Sequence, residues 1–158
     1  MTPKDLQRAL KVLDDMAALE LALASLYKSC AETFPEDQHF WTAISRQEEI
    51  HAQSLGNMAE LVSRKPQDFE LGSAFNSIAI GHIRSIIDNH NDQVKNREIA
   101  RENALIIARD IENSVLEANY RDFLKTGNVQ FVAIMDTLGK DTALHKNLFA
   151  EKVARTKP

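Results

Sequence analysis

Five side chains of the kinds that bind metals stand at helical spacing in this sequence: Glu20, Glu48, His51, Glu112 and His145. Glu48 and His51 form a Glu-x-x-His element, which places an oxygen ligand and a nitrogen ligand on one face of a helix. Mixed carboxylate and imidazole ligation suits iron or manganese, and the ligand types alone do not separate these metals from zinc. A single buried Glu or His is more often half of an ion pair or a hydrogen-bonded core residue. A metal site is therefore predicted only if the five side chains meet.

The elements that must position these residues are helices. The apolar periodicity predicts helical segments at about 3–33, 36–64, 73–93, 98–125 and 128–155. Four of them carry apolar residues in alternating steps of three and four, as helices do when they pack at a shallow angle. Each of these four apolar faces contains an ionisable residue near its middle. We predict an all-α fold with a single domain over 1–158, a four-helix bundle whose long crossover contains an additional helix.

Helix geometry predicts that the five residues share one depth in the bundle. Glu20 lies 15 residues before a turn near residue 35 and His51 lies 16 after it, while Glu112 and His145 lie 15 and 18 residues from a turn near 127. At about 1.5 Å per residue, all lie roughly 20–27 Å from their turns, in one layer if both turns are at the same end. Buried carboxylates need positive charge or must become neutral. Because the middles of these faces contain no Lys or Arg, a metal is predicted.

Composition excludes several classes of protein. A net charge of −4 leaves no excess of Lys and Arg for binding nucleic acid. With only 5 Gly and 4 Pro, the chain has too few turn-formers for many short strands. The single cysteine, Cys30, cannot form an internal disulfide and fits a reducing cytoplasm. The most apolar stretch, 17–26, is short and contains Glu20, so we predict a cytoplasmic protein that does not insert into a membrane.

At these residues the sequence resembles the rubrerythrin-like branch of the ferritin-like superfamily, over nearly the whole chain. The matching features are Glu20 with Tyr27, Phe40-Trp41 before Glu48-x-x-His51, Glu112 with Tyr120, and His145 on the last helix. The resemblance implies a ferritin-like bundle in which Glu20, Glu48, His51, Glu112 and His145 bind two iron ions. It also implies chemistry with peroxide or oxygen, or oxidation of ferrous iron, with an external electron donor. By position, Tyr27 and Tyr120 match tyrosines that hydrogen-bond ligand carboxylates.

The sequence also departs from this family. Thr142 stands where the family has a bridging Glu three residues before the last His, and Asp141 beside it is a candidate replacement ligand. Val115 stands where rubrerythrins with peroxidase activity have a further Glu. One cysteine cannot form the four-Cys rubredoxin module that delivers electrons in full-length rubrerythrins. Two iron ions are expected, with a one-metal site and a metal-free relic as alternatives, and manganese or zinc in place of iron stays open.

A second class of function stays open beside the enzyme. Thr142 and Val115 favour a non-enzymatic helical bundle whose degenerate metal site serves structure, metal sensing or partner binding. An iron-storage subunit is a third alternative, and it would need a cage-forming assembly. Apolar residues on the crossover helix exceed what one solvent-facing crossover needs, so they cover the bundle or meet a second subunit, and we predict a homodimer; they are Phe75, Ile78, Ile83, Ile86 and Ile87.

Overall fold

The computed structural model describes residues 1–72, 77–116 and 123–156 of the chain. Within these ranges the protein is mostly helical, so the predicted all-α class is confirmed. The helices are α1 (Pro3–Thr33), α2 (Gln38–Arg64), α3 (Ser77–Lys95), α4 (Arg101–Leu116) and α5 (Val129–Thr156). Short 3-10 helices at Pro35–Asp37 and Pro66–Asp68 and the strands β1 (Phe69–Leu71) and β2 (Leu124–Thr126) connect them. No helix in the described ranges combines the length and the apolarity that crossing a membrane requires.

The predicted helix over 98–125 is wrong at its C-terminal end. Residues Leu124–Thr126 form β2, which pairs antiparallel with β1 so that Phe69 lies opposite Thr126. The Thr126 hydroxyl also donates a hydrogen bond to the Asp68 carbonyl oxygen, at 2.7 Å. These bonds tie the chain that follows α2 to the chain that precedes α5, and a three-residue strand is too short to show a periodicity of its own.

The two helix turns lie at opposite ends of the molecule, which corrects the arrangement assumed from the sequence. Asp37, at the start of α2, binds Arg101 at the start of α4 and Lys152 near the end of α5. The pairing of β1 with β2 holds the other end of α2 near the start of α5. The α1–α2 turn is therefore at the end where α4 begins, and the α4–α5 connection is at the other end.

The predicted ligands still lie at similar levels along their helices, although the turns are at opposite ends. Glu48 lies 11 residues beyond Asp37, Glu112 lies 11 residues beyond Arg101, and His145 lies 7 residues before Lys152. At about 1.5 Å per residue these distances are roughly 10–17 Å, so α2, α4 and α5 bring the three side chains to similar levels.

The helix α3 lies in the connection between α2 and α4 and packs on α1. Its Asn91 side chain donates a hydrogen bond to the Ser25 hydroxyl, at 2.9 Å. Of the five apolar residues predicted to cover the bundle or meet a second subunit, Ile87 is buried and Ile83 packs against the core, while Ile78 is 82% exposed and Ile86 39% exposed; Phe75 lies outside the described residues. The predicted homodimer therefore stays a prediction.

The core face of α5 differs from the predicted one at its C-terminal end. Phe149 is fully buried, whereas Leu148, which continues the three-and-four spacing of His145 and was therefore expected to face inward, is 36% exposed. The ring of Phe149 packs against Tyr27 and Trp41, with ring centroids 5.5 and 5.6 Å away. This aromatic group joins α1, α2 and α5 close to the polar residues of the core.

Candidate metal centre

All five predicted ligands are buried among the helices. The helix α1 contributes Glu20, α2 contributes Glu48 and His51, α4 contributes Glu112, and α5 contributes His145. Each side chain interrupts an otherwise apolar helix face, so packing those faces together also buries the polar groups. Tyr120, which the resemblance places beside a ligand carboxylate, lies outside the described residues.

Glu48 is the centre of the group, because each of its oxygens lies beside a histidine. Its Oε2 atom accepts a hydrogen bond from His51 Nδ1 at 2.8 Å. Its Oε1 atom lies 2.8 Å from His145 Nδ1, but this approach lacks the alignment of a hydrogen bond. Ligand-type atoms of the three side chains lie within 4.8 Å of one another. This buried group, which we call the Glu48–His51–His145 cluster, could hold a metal ion.

Three atoms of the cluster are buried without a hydrogen-bond partner among the described residues: Glu48 Oε1, His51 Nε2 and His145 Nδ1. Only two other buried side-chain atoms in the described ranges share this condition, Trp41 Nε1 and Asn91 Oδ1. Glu48 Oε1 and His145 Nδ1 face each other at 2.8 Å as an ion pair, whereas His51 Nε2 has no partner within hydrogen-bond distance among the described residues, which costs about 1–3 kcal/mol. A cation coordinated by these oxygen and nitrogen atoms would remove that cost, so the donor set fits a bound metal.

The charges within the cluster are strongly coupled. Burial raises the pKa of Glu48, but the adjacent imidazoles of His145 and His51 outweigh it and lower this pKa to about 2. Burial also lowers the pKa of His145, yet the adjacent Glu48 carboxylate reverses that effect and raises it. Without a metal, Glu48 is therefore an anion, and its carboxylate and the His145 imidazole each favour the charged form of the other.

Glu20 and Glu112 respond to burial in the opposite direction. Burial, followed by the negative charge of Glu48, raises the pKa of Glu112 to about 8 and raises that of Glu20 well above its usual range. No Lys or Arg is among the groups that act most strongly on these two carboxyls or on Glu48. Glu112 is therefore mostly neutral at pH 7 when no other cation is present, and burial acts on Glu20 in the same direction.

Tyr27 positions one of these carboxyls. Its hydroxyl donates a hydrogen bond to Glu112 Oε1 at 2.7 Å. Burial and the nearby carboxylates raise the pKa of Tyr27 well above its usual range, so the hydroxyl keeps the proton that it donates. Because Trp41 and Phe149 both pack against the ring, Tyr27 has little freedom to turn away. This contact is of the kind that the resemblance implies for Tyr27.

Thr142, which stands where the family has a bridging Glu, and Asp141 beside it make different contacts. The Thr142 hydroxyl donates a hydrogen bond to the Leu138 carbonyl oxygen of its own helix, at 2.6 Å. Asp141 is partly exposed, and its Oδ2 atom lies 3.6 Å from His51 Nε2. The structure therefore brings Asp141, and not Thr142, towards the cluster.

No protein-family model matches the chain, and no curated protein or solved structure matches it. The chemistry of the centre is therefore argued from its own geometry. The sequence reasoning named the residues of the cluster, but it did not single out the pairing of Asp37 with Arg101 and Lys152. The only sequence signal for that group was the run of acids after Pro35.

Proposed function

We propose that this chain is a rubrerythrin-like non-haem iron protein with a ferritin-like bundle, which carries out redox chemistry with peroxide or oxygen or oxidises ferrous iron. The observation that carries the proposal is the convergence of three buried ligand-type atoms that form no hydrogen bond among the described residues, in the Glu48–His51–His145 cluster. The helix order supports the ferritin-like bundle, because α3 lies in the crossover between the pairs α1–α2 and α4–α5.

The proposed ligands give the site its charge. Glu48, His51 and His145 would hold one ion, and Glu20 and Glu112 would supply carboxylates for a second. The three carboxylates bring −3 against +4 for two ferrous ions, so full neutralisation of a pair needs Asp141 or an added anion. Two ions are the proposal, one ion is the alternative, and manganese or zinc would use the same donors.

Side chains of this protein orient a proposed ligand and shield the site from water. When bound, iron supplies one-electron redox chemistry, and an external donor must restore its electrons because this chain lacks the rubredoxin module. Tyr27 holds the Glu112 carboxyl in place through its hydroxyl. Tyr27, Trp41 and Phe149 form a packed aromatic wall that keeps water from that side. Binding of a cation displaces protons from Glu20, Glu112 and His145, since metal ligands must be deprotonated.

Anaerobic titration with Fe²⁺, followed by metal analysis, tests the first step. We expect the wild-type chain to retain iron and the Glu48→Ala variant to lose it. Glu49→Ala is the matched control, because Glu49 is the adjacent residue of α2 and is exposed. Equal iron content in wild type and Glu48→Ala would contradict the proposal. Consumption of hydrogen peroxide by the loaded protein with a reduced donor tests the second step.

The alternative function is a non-enzymatic bundle that keeps a metal site for structure, metal sensing or partner binding. The hydrogen bond of Thr142 to the Leu138 carbonyl of its own helix favours it, since the family's bridging position then offers no ligand. In this case Fe²⁺ raises the melting temperature, but the loaded protein neither consumes peroxide nor oxidises further Fe²⁺. The predicted partners, a small oxidant or Fe²⁺ and an external electron donor, would belong only to the enzyme.

A further inference from the structure

The imidazole of His51 connects the buried cluster with the protein surface. Its Nδ1 atom donates to Glu48 Oε2 at 2.8 Å, and its Nε2 atom lies 3.6 Å from Asp141 Oδ2. The His51 side chain is only 3% exposed, whereas that of Asp141 is 36% exposed. Asp141 therefore lies where solvent reaches the cluster.

The distance between His51 Nε2 and Asp141 Oδ2 has the spacing of two ligands to one ion. At 3.6 Å the two atoms are too far apart for a hydrogen bond. Two atoms that each bind a metal at about 2.0–2.2 Å lie roughly 3–3.5 Å apart in octahedral or tetrahedral geometry. A small movement of the exposed Asp141 side chain would therefore let both atoms bind one cation.

The hydrogen bond between His51 and Glu48 orients the His51 ring for this contact. A metal-binding histidine usually donates its other ring N–H to a carboxylate, which fixes the tautomer and the ring orientation. Here the hydrogen bond to Glu48 uses Nδ1 and leaves Nε2 as the free donor atom, buried and without a hydrogen-bond partner among the described residues.

We infer that Asp141 and His51 Nε2 form a capture position, where a divalent cation from solvent binds first before it passes to Glu48 and His145. The inference rests on the proposed metal-binding function. Two protein ligands leave most of the coordination shell to water, which suits transit better than permanent binding. Asp141 is then a positioning residue that controls how fast the metal arrives and leaves, and it adds little to the final affinity.

Stopped-flow binding of Co²⁺ tests this inference. Trp41 is the only tryptophan, and its ring lies 5.6 Å from Tyr27, so its emission reports on binding at the centre. In Asp141→Asn we expect the association rate constant to fall about tenfold, because the attracting charge is lost. Chelator-driven release should slow by a similar factor, because the metal leaves through the same position by which it enters, so that Kd stays within about twofold. Glu151→Gln removes one exposed charge from the same helix and should change neither rate.

Ionic strength gives a second measurement. Added salt should slow Co²⁺ association in the wild type and have little effect in Asp141→Asn, since screening acts on the attraction that the variant lacks. Equal association rates in wild type and Asp141→Asn would overturn the capture position. A much weaker Kd with an unchanged association rate would overturn it too, by making Asp141 a permanent ligand. Failure of the wild type to bind Co²⁺ or Fe²⁺ would instead refute the proposed function itself.

Discussion

Two groups of ionisable residues in this protein contain buried carboxylates, and the two groups compensate the negative charge in different ways. The end cluster joins α2, α4 and α5 and consists of Asp37, Arg101 and Lys152. The middle cluster joins α1, α2, α4 and α5 and consists of Glu20, Glu48, His51, Glu112 and His145. Both take carboxylates out of water, which is unfavourable for the charged form unless positive charge accompanies it.

The difference lies in the counter-charge. In the end cluster, Arg101 Nε and Lys152 Nζ each approach an Asp37 oxygen to 2.6 Å. Burial raises the pKa of Asp37, but these two cations outweigh it and hold the pKa below its usual range. In the middle cluster burial prevails at Glu20 and Glu112, although not at Glu48 between its two histidines, and the pKa of Glu112 rises to about 8. The end cluster is complete within the chain, whereas the middle cluster lacks the positive charge that a metal would bring.

The largest expected effect is the loss of the end cluster. Asp37→Asn keeps the shape of the side chain but leaves Arg101 and Lys152, each less than a third exposed, without their carboxylate. Breaking a buried ion pair on one side costs about 3–5 kcal/mol. We expect a loss of this order in the free energy of unfolding, measured by urea denaturation.

An exposed pair supplies the control for this variant. Glu60 and Arg64 pair across one turn of α2, with both side chains more than half exposed. Glu60→Gln should change the free energy of unfolding by less than about 1 kcal/mol. If Asp37→Asn had an equally small effect, the end cluster would be no more than a surface ion pair.

The middle cluster should behave in the opposite way when one of its carboxyls is made neutral. Glu112 is mostly protonated in the folded metal-free protein at pH 7 but ionised in the unfolded chain, so Glu112→Gln removes the cost of protonating it; the variant should raise the free energy of unfolding at pH 7 and change it little near pH 4.5. Metal at 100 times its Kd stabilises a protein by about 2.7 kcal/mol. We expect Glu112→Gln to lose most of that gain, measured as the metal-dependent shift in melting temperature.

Asp110→Asn is the matched variant for Glu112→Gln. It changes an exposed acid on the same helix, two residues away, and should keep the full metal-dependent gain. A Glu112→Gln protein that gained as much stability from metal as Asp110→Asn would remove Glu112 from the ligand set.

The helices were predictable because their signals are local. The predicted segments 3–33 and 128–155 match α1 and α5 to within one residue. The pairing of β1 with β2 was not predictable, because it joins residues about 55 positions apart through backbone bonds that any side chain permits. The placement of the two turns at opposite ends was missed for a related reason, since it depends on long-range contacts such as the one between Asp37 and Arg101.

The residues of the middle cluster could be predicted, but their division of roles could not. Periodicity shows that Glu48 and His145 face the core, because an inward position depends only on the residue's own helix. It does not show that one carboxylate lies between two histidines, since that depends on how α2 and α5 rotate against each other. The role of Asp141 was left open in the sequence for the same reason.

The two clusters should also give opposite responses to pH in the metal-free protein. The lowered pKa of Asp37 means that its contribution is present above its unfolded value near 3.8 and is lost as the pH falls. The raised pKa of Glu112 means that the folded state binds more protons than the unfolded state between about 4.5 and 8. Through Glu112 alone, stability should therefore fall by about 1.4 kcal/mol per pH unit across that range.

Urea denaturation at a series of pH values measures both effects: the gain in stability as the pH rises through the acid range, and the loss of stability between pH 4.5 and 8. Glu112→Gln should flatten the fall between pH 4.5 and 8, and Asp37→Asn should flatten the rise on the acid side. Saturating metal should also remove the fall, because coordinated carboxylates are ionised throughout the range. A metal-free protein whose stability stays level from pH 4.5 to 8 would contradict the account of the middle cluster.

The smallest expected effect is that of a glycine substitution in α2. Because α2 lies beside both clusters, this substitution tests whether the rigidity of α2 affects the metal affinity. Gly56 lies in α2 beyond His51, is exposed, and has nothing within 4 Å of an added Cβ. Gly56→Ala should therefore raise the free energy of unfolding by about 0.5–1 kcal/mol. Gly81→Ala, in the equally open position on α3, should give a similar gain. If only Gly56→Ala changed metal affinity, flexibility of α2 would be part of the metal site; equal affinities in both variants would leave missing charge as the difference between the clusters.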